Sequence, residues 1–237
     1  MMCHRGDPRT DRPDLAHANL IGGRFAYFAL PDSPVTQYGG QLLEKTGCRR
    51  CHRSGNKGNL LASDLDQLLP GARPGDVLQS IRQPVLFMPD FGFAESTATI
   101  LVNALFAHSA QAERPSGEIP MLVHFEGVER AENPFEKHCG GCHRLLTKTW
   151  GGLGQGNIGP NLSGLFSEFY PGSFKDEERW SPANLEKWLK NPRAIRKAAR
   201  MGPQPLKPEE LRQVLSFFET PAAASASSIP PGSVVVP

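Results

Sequence analysis

Apolar residues fall at helical spacing in short stretches, separated by long polar segments marked by Gly and Pro, and the stretches come in the same order twice. Val35 begins a short helix pattern, with Leu42 and Leu43, that runs up to Cys48. A Gly- and Asn-rich loop comes next, and then a segment from Asp64 to Leu69. Pro74 sits where a helix tolerates proline, at its first position, and the helix it opens through Val77, Leu78 and Ile81 must end before Pro84. A closing helix sets Ala98, Leu101, Val102, Leu105 and Phe106 on one face. In the second half Phe135 precedes Cys139, and a Gly-rich loop leads to Gly159-Pro160-Asn161-Leu162. Ser181-Pro182 opens a helix with Leu185, Trp188 and Leu189 inward, and Asn191-Pro192 ends it. A last helix after Pro208 carries Leu211, Val214, Leu215 and Phe218.

Repetition of this order predicts an all-α chain of two tandem domains, at 35–112 and 133–220, made of short helices and long loops. Residues 1–34, rich in Arg, Asp and Pro with turn signals at Gly22-Gly23 and Pro31, are expected to pack on the first of these domains. Residues 113–132 read as a linker, with a short strand at Met121 to Phe125, and 221–237 as a disordered Pro, Ala and Ser tail. Length and composition agree with two small domains, since 237 residues with 24 Gly and 22 Pro suit short elements joined by loops. A net charge of +2 provides no field for nucleic acid, and no run of 18 apolar residues is present to span a membrane.

Two five-residue runs change the picture most: Cys48-Arg49-Arg50-Cys51-His52 and Cys139-Gly140-Gly141-Cys142-His143. Two thiols two residues apart on one turn can form thioethers with both vinyl groups of a haem, and the histidine next in line turns back to ligate its iron. The rival readings are a zinc site made of both C-x-x-C pairs, and a thioredoxin-like redox pair, which needs a single pair beside a βαβ pattern not found here. Haem is attached to this motif outside the bacterial inner membrane, yet the start lacks the basic-then-apolar pattern of a secretory signal. The expectation is therefore that the natural start lies upstream. Cys3-His4 then reads as the last two positions of a truncated third motif, so that the haem c count is two, or three in the full-length product.

The order helix, C-x-x-C-H, Gly-Pro loop, helix ending in Asn-Pro, methionine, final helix resembles class I (mitochondrial-type) cytochrome c domains over about residues 35–110 and 133–220. The resemblance implies that His52 and His143 are proximal ligands, and that Met88 and Met201 reach the irons from the opposite side. In the family the Gly-Pro loop offers a carbonyl to the proximal imidazole; Pro160 fits that role, whereas Asn59 stands at the corresponding place in the first copy. Met201-Gly202 departs from the family's commoner Met-Pro. His17, His108, His124 and His138 read as surface or satisfied residues, His17 being the first choice as distal ligand of a third haem. Trp150, Trp180 and Trp188 are expected against the second haem or its helices.

The function implied is an exported multihaem electron carrier that exchanges single electrons with redox protein partners, in the periplasm or at the outer membrane. The alternative is a dihaem peroxidase-like enzyme with a displaceable Met. More narrowly, the Cys48–His52 run, Phe87-Met88-Pro89-Asp90-Phe91 and the start Cys3-His4-Arg5-Gly6-Asp7-Pro8-Arg9-Thr10 resemble the multihaem cytochrome lipoproteins of selenite and tellurite reduction or extracellular electron conduit operons. That likeness implies conduit partners and a lipid anchor on a missing N-terminus.

Overall fold

Proline sets the first turn of six of the seven α-helices among the described residues of the computed structural model. Those residues are 23–218, except 31, 70, 86 and 113–132. The helices are α1 (Pro34–Thr46), α2 (Pro74–Arg82), α3 (Glu95–Gln111), α4 (Pro134–His138), α5 (Pro182–Lys190), α6 (Pro192–Ile195) and α7 (Pro208–Ser216). Side chains supply the missing partners at several starts: Asn133 accepts from Glu136 N at 3.0 Å and Ser181 from Asn184 N at 3.2 Å.

Two separate cores form. The first gathers Leu43 of α1, Leu78 and Ile81 of α2, and Leu101, Leu105 and Phe106 of α3. Helices α1 and α3 cross closely because Gly39 has no side chain; a Cβ there would lie 2.6 Å from both Ala104 Cβ and Ile100 O. A 3₁₀ segment, Gly23–Ala29, lies on α3, with the Phe28 and Phe106 ring centroids 5.2 Å apart. Fully buried Asn103 fastens it, accepting from Phe28 N at 2.9 Å and donating to Arg24 O at 3.1 Å. The described part of the N-terminal flank thus packs on the first core.

The second core gathers Phe135 of α4, Leu185 and Leu189 of α5, Val214 of α7, and Phe217 and Phe218 just beyond it. One feature departs from the all-α expectation. Part of the supposed Gly-rich loop is an antiparallel hairpin, β1 (Leu145–Thr147) and β2 (Gly151–Leu153), paired Leu145 with Leu153 and Thr147 with Gly151. Thr147 Oγ1 closes the turn, donating to Gly151 O at 3.0 Å and accepting from Trp150 N at 2.8 Å. All six strand positions are buried, so no alternation of apolar and polar residues marks them. The molecule is mostly helical with this one small sheet among the described residues. The strand expected at 121–125, the linker around it and the tail from 221 lie outside the described residues.

Candidate cofactor-attachment sites

Helix α1 ends on Gly47, whose left-handed conformation (φ 68°) sends the chain straight into a 3₁₀ turn, Cys48–Arg50. Cys51 N and His52 N both donate to Cys48 O, at 3.2 and 3.1 Å. The second run folds the same way after α4, with Cys142 N and His143 N donating to Cys139 O at 3.0 and 2.9 Å. In each run one turn carries both thiols and delivers the histidine directly after them. All four cysteines are free. Burial pushes the Cys48 and Cys51 thiols up, and Cys139 up to about 11 with the Cys142 side chain adding to the rise.

The imidazoles are held alike. His143 Nδ1 lies 2.8 Å from Pro160 O, and His52 Nδ1 lies 2.8 Å from Ser63 O. A carbonyl can only accept, so Nδ1 carries the proton in each ring and Nε2 is left with its lone pair for a metal. Burial lowers the pKa of His52, which favours the same neutral form. Gly159 lies flat beneath the His143 ring; a Cβ there would collide with the imidazole. Pro160 therefore occupies the place the sequence assigned to it. Asn59 does not reach His52: its Nδ2 donates to Arg50 O at 2.8 Å and its N to Arg49 O at 2.9 Å. Ser63 supplies the carbonyl instead, and since any residue has one, no side chain marked it in advance.

Met88 and Met201 are both partly buried against the core of their own half, Met88 on the core that Cys48 also packs against and Met201 on the core that contains Cys139. Trp188 Nε1 donates to Met201 Sδ at 3.2 Å, and Arg196 covers the Trp188 ring at 4.4 Å. Trp180 meets Trp188 edge-on at 5.5 Å, and Trp150 meets Phe217 at 5.6 Å. His108 Nδ1 pairs with Ser54 Oγ at 2.9 Å and His138 Nε2 with Glu210 at 3.2 Å, so neither ring stands unpartnered. Cys3, His4, His17 and His124 lie outside the described residues.

The donor set fits haem c. Each half has two free thiols on one turn, an imidazole with Nδ1 occupied, and a thioether within the same core. Cys48 and Cys139 belong to different cores, and no group of three or more His, Cys, Asp or Glu is arranged to hold a metal ion among the described residues, so the zinc alternative finds no assembled site. No helix of the described residues is long and apolar enough to cross a membrane. The family model for cytochrome c matches residues 128–220, which include the second attachment turn, Met201 and α4 to α7. No curated protein and no solved structure gives a match.

Proposed function

We infer from the cytochrome c domain at residues 128–220 that the chain is a haem c electron-transfer protein, and we propose that residues 35–112 form a second such domain, making it a dihaem carrier. The observation that carries the second step is the shared local geometry. Both C-x-x-C-H runs make the same turn, and both histidines donate from Nδ1 to a carbonyl 2.8 Å away. Haem c, when bound, supplies a one-electron iron couple.

Each group of residues has its own task. Cys48 and Cys51, and Cys139 and Cys142, would hold the macrocycles covalently. His52 and His143 present Nε2, and the carbonyls of Ser63 and Pro160 fix the plane of each ring and raise its basicity. Met88 and Met201 would offer their sulfurs as ligands, which would favour the reduced metal and suit a moderate to high potential. The cytochrome c domain supports other redox proteins as the partners. The attachment chemistry supports an exported protein, in the periplasm or at the outer membrane, and a conduit role is the narrower form of this proposal.

The test is the haem count of the full chain, produced with an export signal and cytochrome c maturation proteins, by intact mass and pyridine haemochrome. Two haems are expected. One would confine the reading to residues 128–220, three would add Cys3 and His4 to the attachment residues, and none would overturn it. A sulfur-to-iron charge-transfer band in the far red from both ferric haems separates the carrier from the peroxidase alternative, which needs one iron without a thioether.

A further inference from the structure

The loop that orients His143 also reaches into the other half. Pro160 O accepts from the imidazole, and the next residue, Asn161, sends its side chain across the junction. Its Nδ2 donates to Phe87 O at 2.8 Å, at the residue before Met88. Its Oδ1 accepts from Ser163 N at 2.9 Å, which fixes the orientation of the amide. Its carbonyl accepts from Arg50 Nη1 at 3.1 Å and from Tyr170 Oη at 3.2 Å. One residue thus touches the chain beside Met88 and the side chain beside Cys51, and it directly follows the Pro160 carbonyl that holds His143.

The surroundings leave this loop little freedom. The Phe87 ring packs on Gly152 of β2, where a Cβ would collide with it. It also joins Cys51, Leu61 and Leu146 in a small cluster shared by the two halves. Buried Ser163 takes Leu146 N on its hydroxyl at 2.8 Å, which ties the same loop to the hairpin.

We propose that Asn161 is a positioning residue for Met88: by holding the Phe87 carbonyl it keeps the distal loop of the first haem in place from the proximal loop of the second. This rests on the dihaem reading, in particular on Met88 as a ligand. Without the Asn161 amide, the Phe87 carbonyl loses its donor from the second half and Met88 competes less well for its iron.

The experiment uses the full chain with Met201→His, so that the remaining sulfur-to-iron band reports Met88 alone. Imidazole is titrated against that band in this parent and in the same chain carrying Asn161→Asp, which keeps size and the Ser163 contact but replaces the donor facing Phe87 with an acceptor. Imidazole should displace Met88 at roughly five- to tenfold lower concentration, the size a lost hydrogen bond implies. Haem count and helical circular dichroism should be unchanged. Asn161→Ser, which leaves every main-chain contact, should shift the titration in the same direction and serves if the aspartate variant does not fold. Unchanged imidazole affinity with the band present would overturn the role of Asn161 and leave the dihaem reading intact. Absence of the band from the parent would instead remove Met88 as ligand.

Discussion

At the scale of single residues, the second site is governed by how closely backbone approaches the His143 ring. Gly159 supports the imidazole face and Pro160 O takes its Nδ1 proton at 2.8 Å. Gly159→Ala should therefore displace the ring or the loop, costing about 1–3 kcal/mol as an overpacked contact does; an unaltered denaturation midpoint would show that the loop yields freely. If Met201 is the ligand proposed, Met201→His should lower the potential of the haem in residues 128–220 and abolish its sulfur band. An unchanged spectrum would reject Met201 as ligand. Cys142→Ser should leave one thioether and a red-shifted pyridine haemochrome, and the absence of a shift would mean that Cys142 is not an attachment point. The two C-x-x-C-H turns were legible in the sequence because the attachment chemistry demands particular side chains at fixed spacing. The Ser63 carbonyl that holds His52 was not, since a main-chain oxygen has no signature until the loop is folded.

Elements were legible where proline and spacing agreed. Pro74, Pro182 and Pro208 begin helices whose apolar positions pack inward, and the residues before Pro84 and at Asn191-Pro192 end them. The hairpin escaped because three-residue strands buried throughout have neither alternation nor length. The relation between α4 and α7 rests on a charge that spacing does not reveal. Glu210 bonds Lys207 N at 3.0 Å at the start of α7 and reaches His138 at 3.2 Å and Lys137 at 3.4 Å at the end of α4. The Lys207 N–H first, and then His138 and Lys137, hold its carboxyl at about 2, below its ordinary 4.5. The folded chain thus binds this proton more weakly than the unfolded chain, so the stabilisation is complete above about 4.5 and drains away as pH falls toward about 2. Glu210→Gln should flatten the acid limb of the stability curve measured by urea unfolding; an identical limb would mean that other carboxylates set it. In the first half the corresponding contact is apolar. Gly39→Val should force α1 from α3 and cost about 1–3 kcal/mol, read from the same unfolding curves.

For the whole molecule, two cores could be expected to unfold separately, since each has its own C-x-x-C-H turn and methionine. The junction argues for coupling. Beside the small apolar cluster it has a polar part made from the binding loops themselves: Arg50, inside the first motif, donates to Asn161 O at 3.1 Å and lies 5.3 Å over the Tyr170 ring. No sequence reading of the motif could assign that role, because Arg50 stands at one of its two variable positions and its partners lie more than a hundred residues away. A charged hydrogen bond with a cation–π contact at a half-buried site is worth roughly 1–3 kcal/mol, enough to decide whether two small cores melt together. On the dihaem reading, the native holoprotein should therefore show one cooperative transition by circular dichroism and by Soret absorbance. Arg50→Ala should retain both thioether attachments, because neither cysteine moves from its turn, yet lower the denaturant dependence and split or broaden that transition. A single transition of unchanged steepness in this variant would mean that Cys51, Leu61, Leu146 and Phe87 alone bind the halves together, and that the apolar cluster, not the arginine, makes them one folding unit.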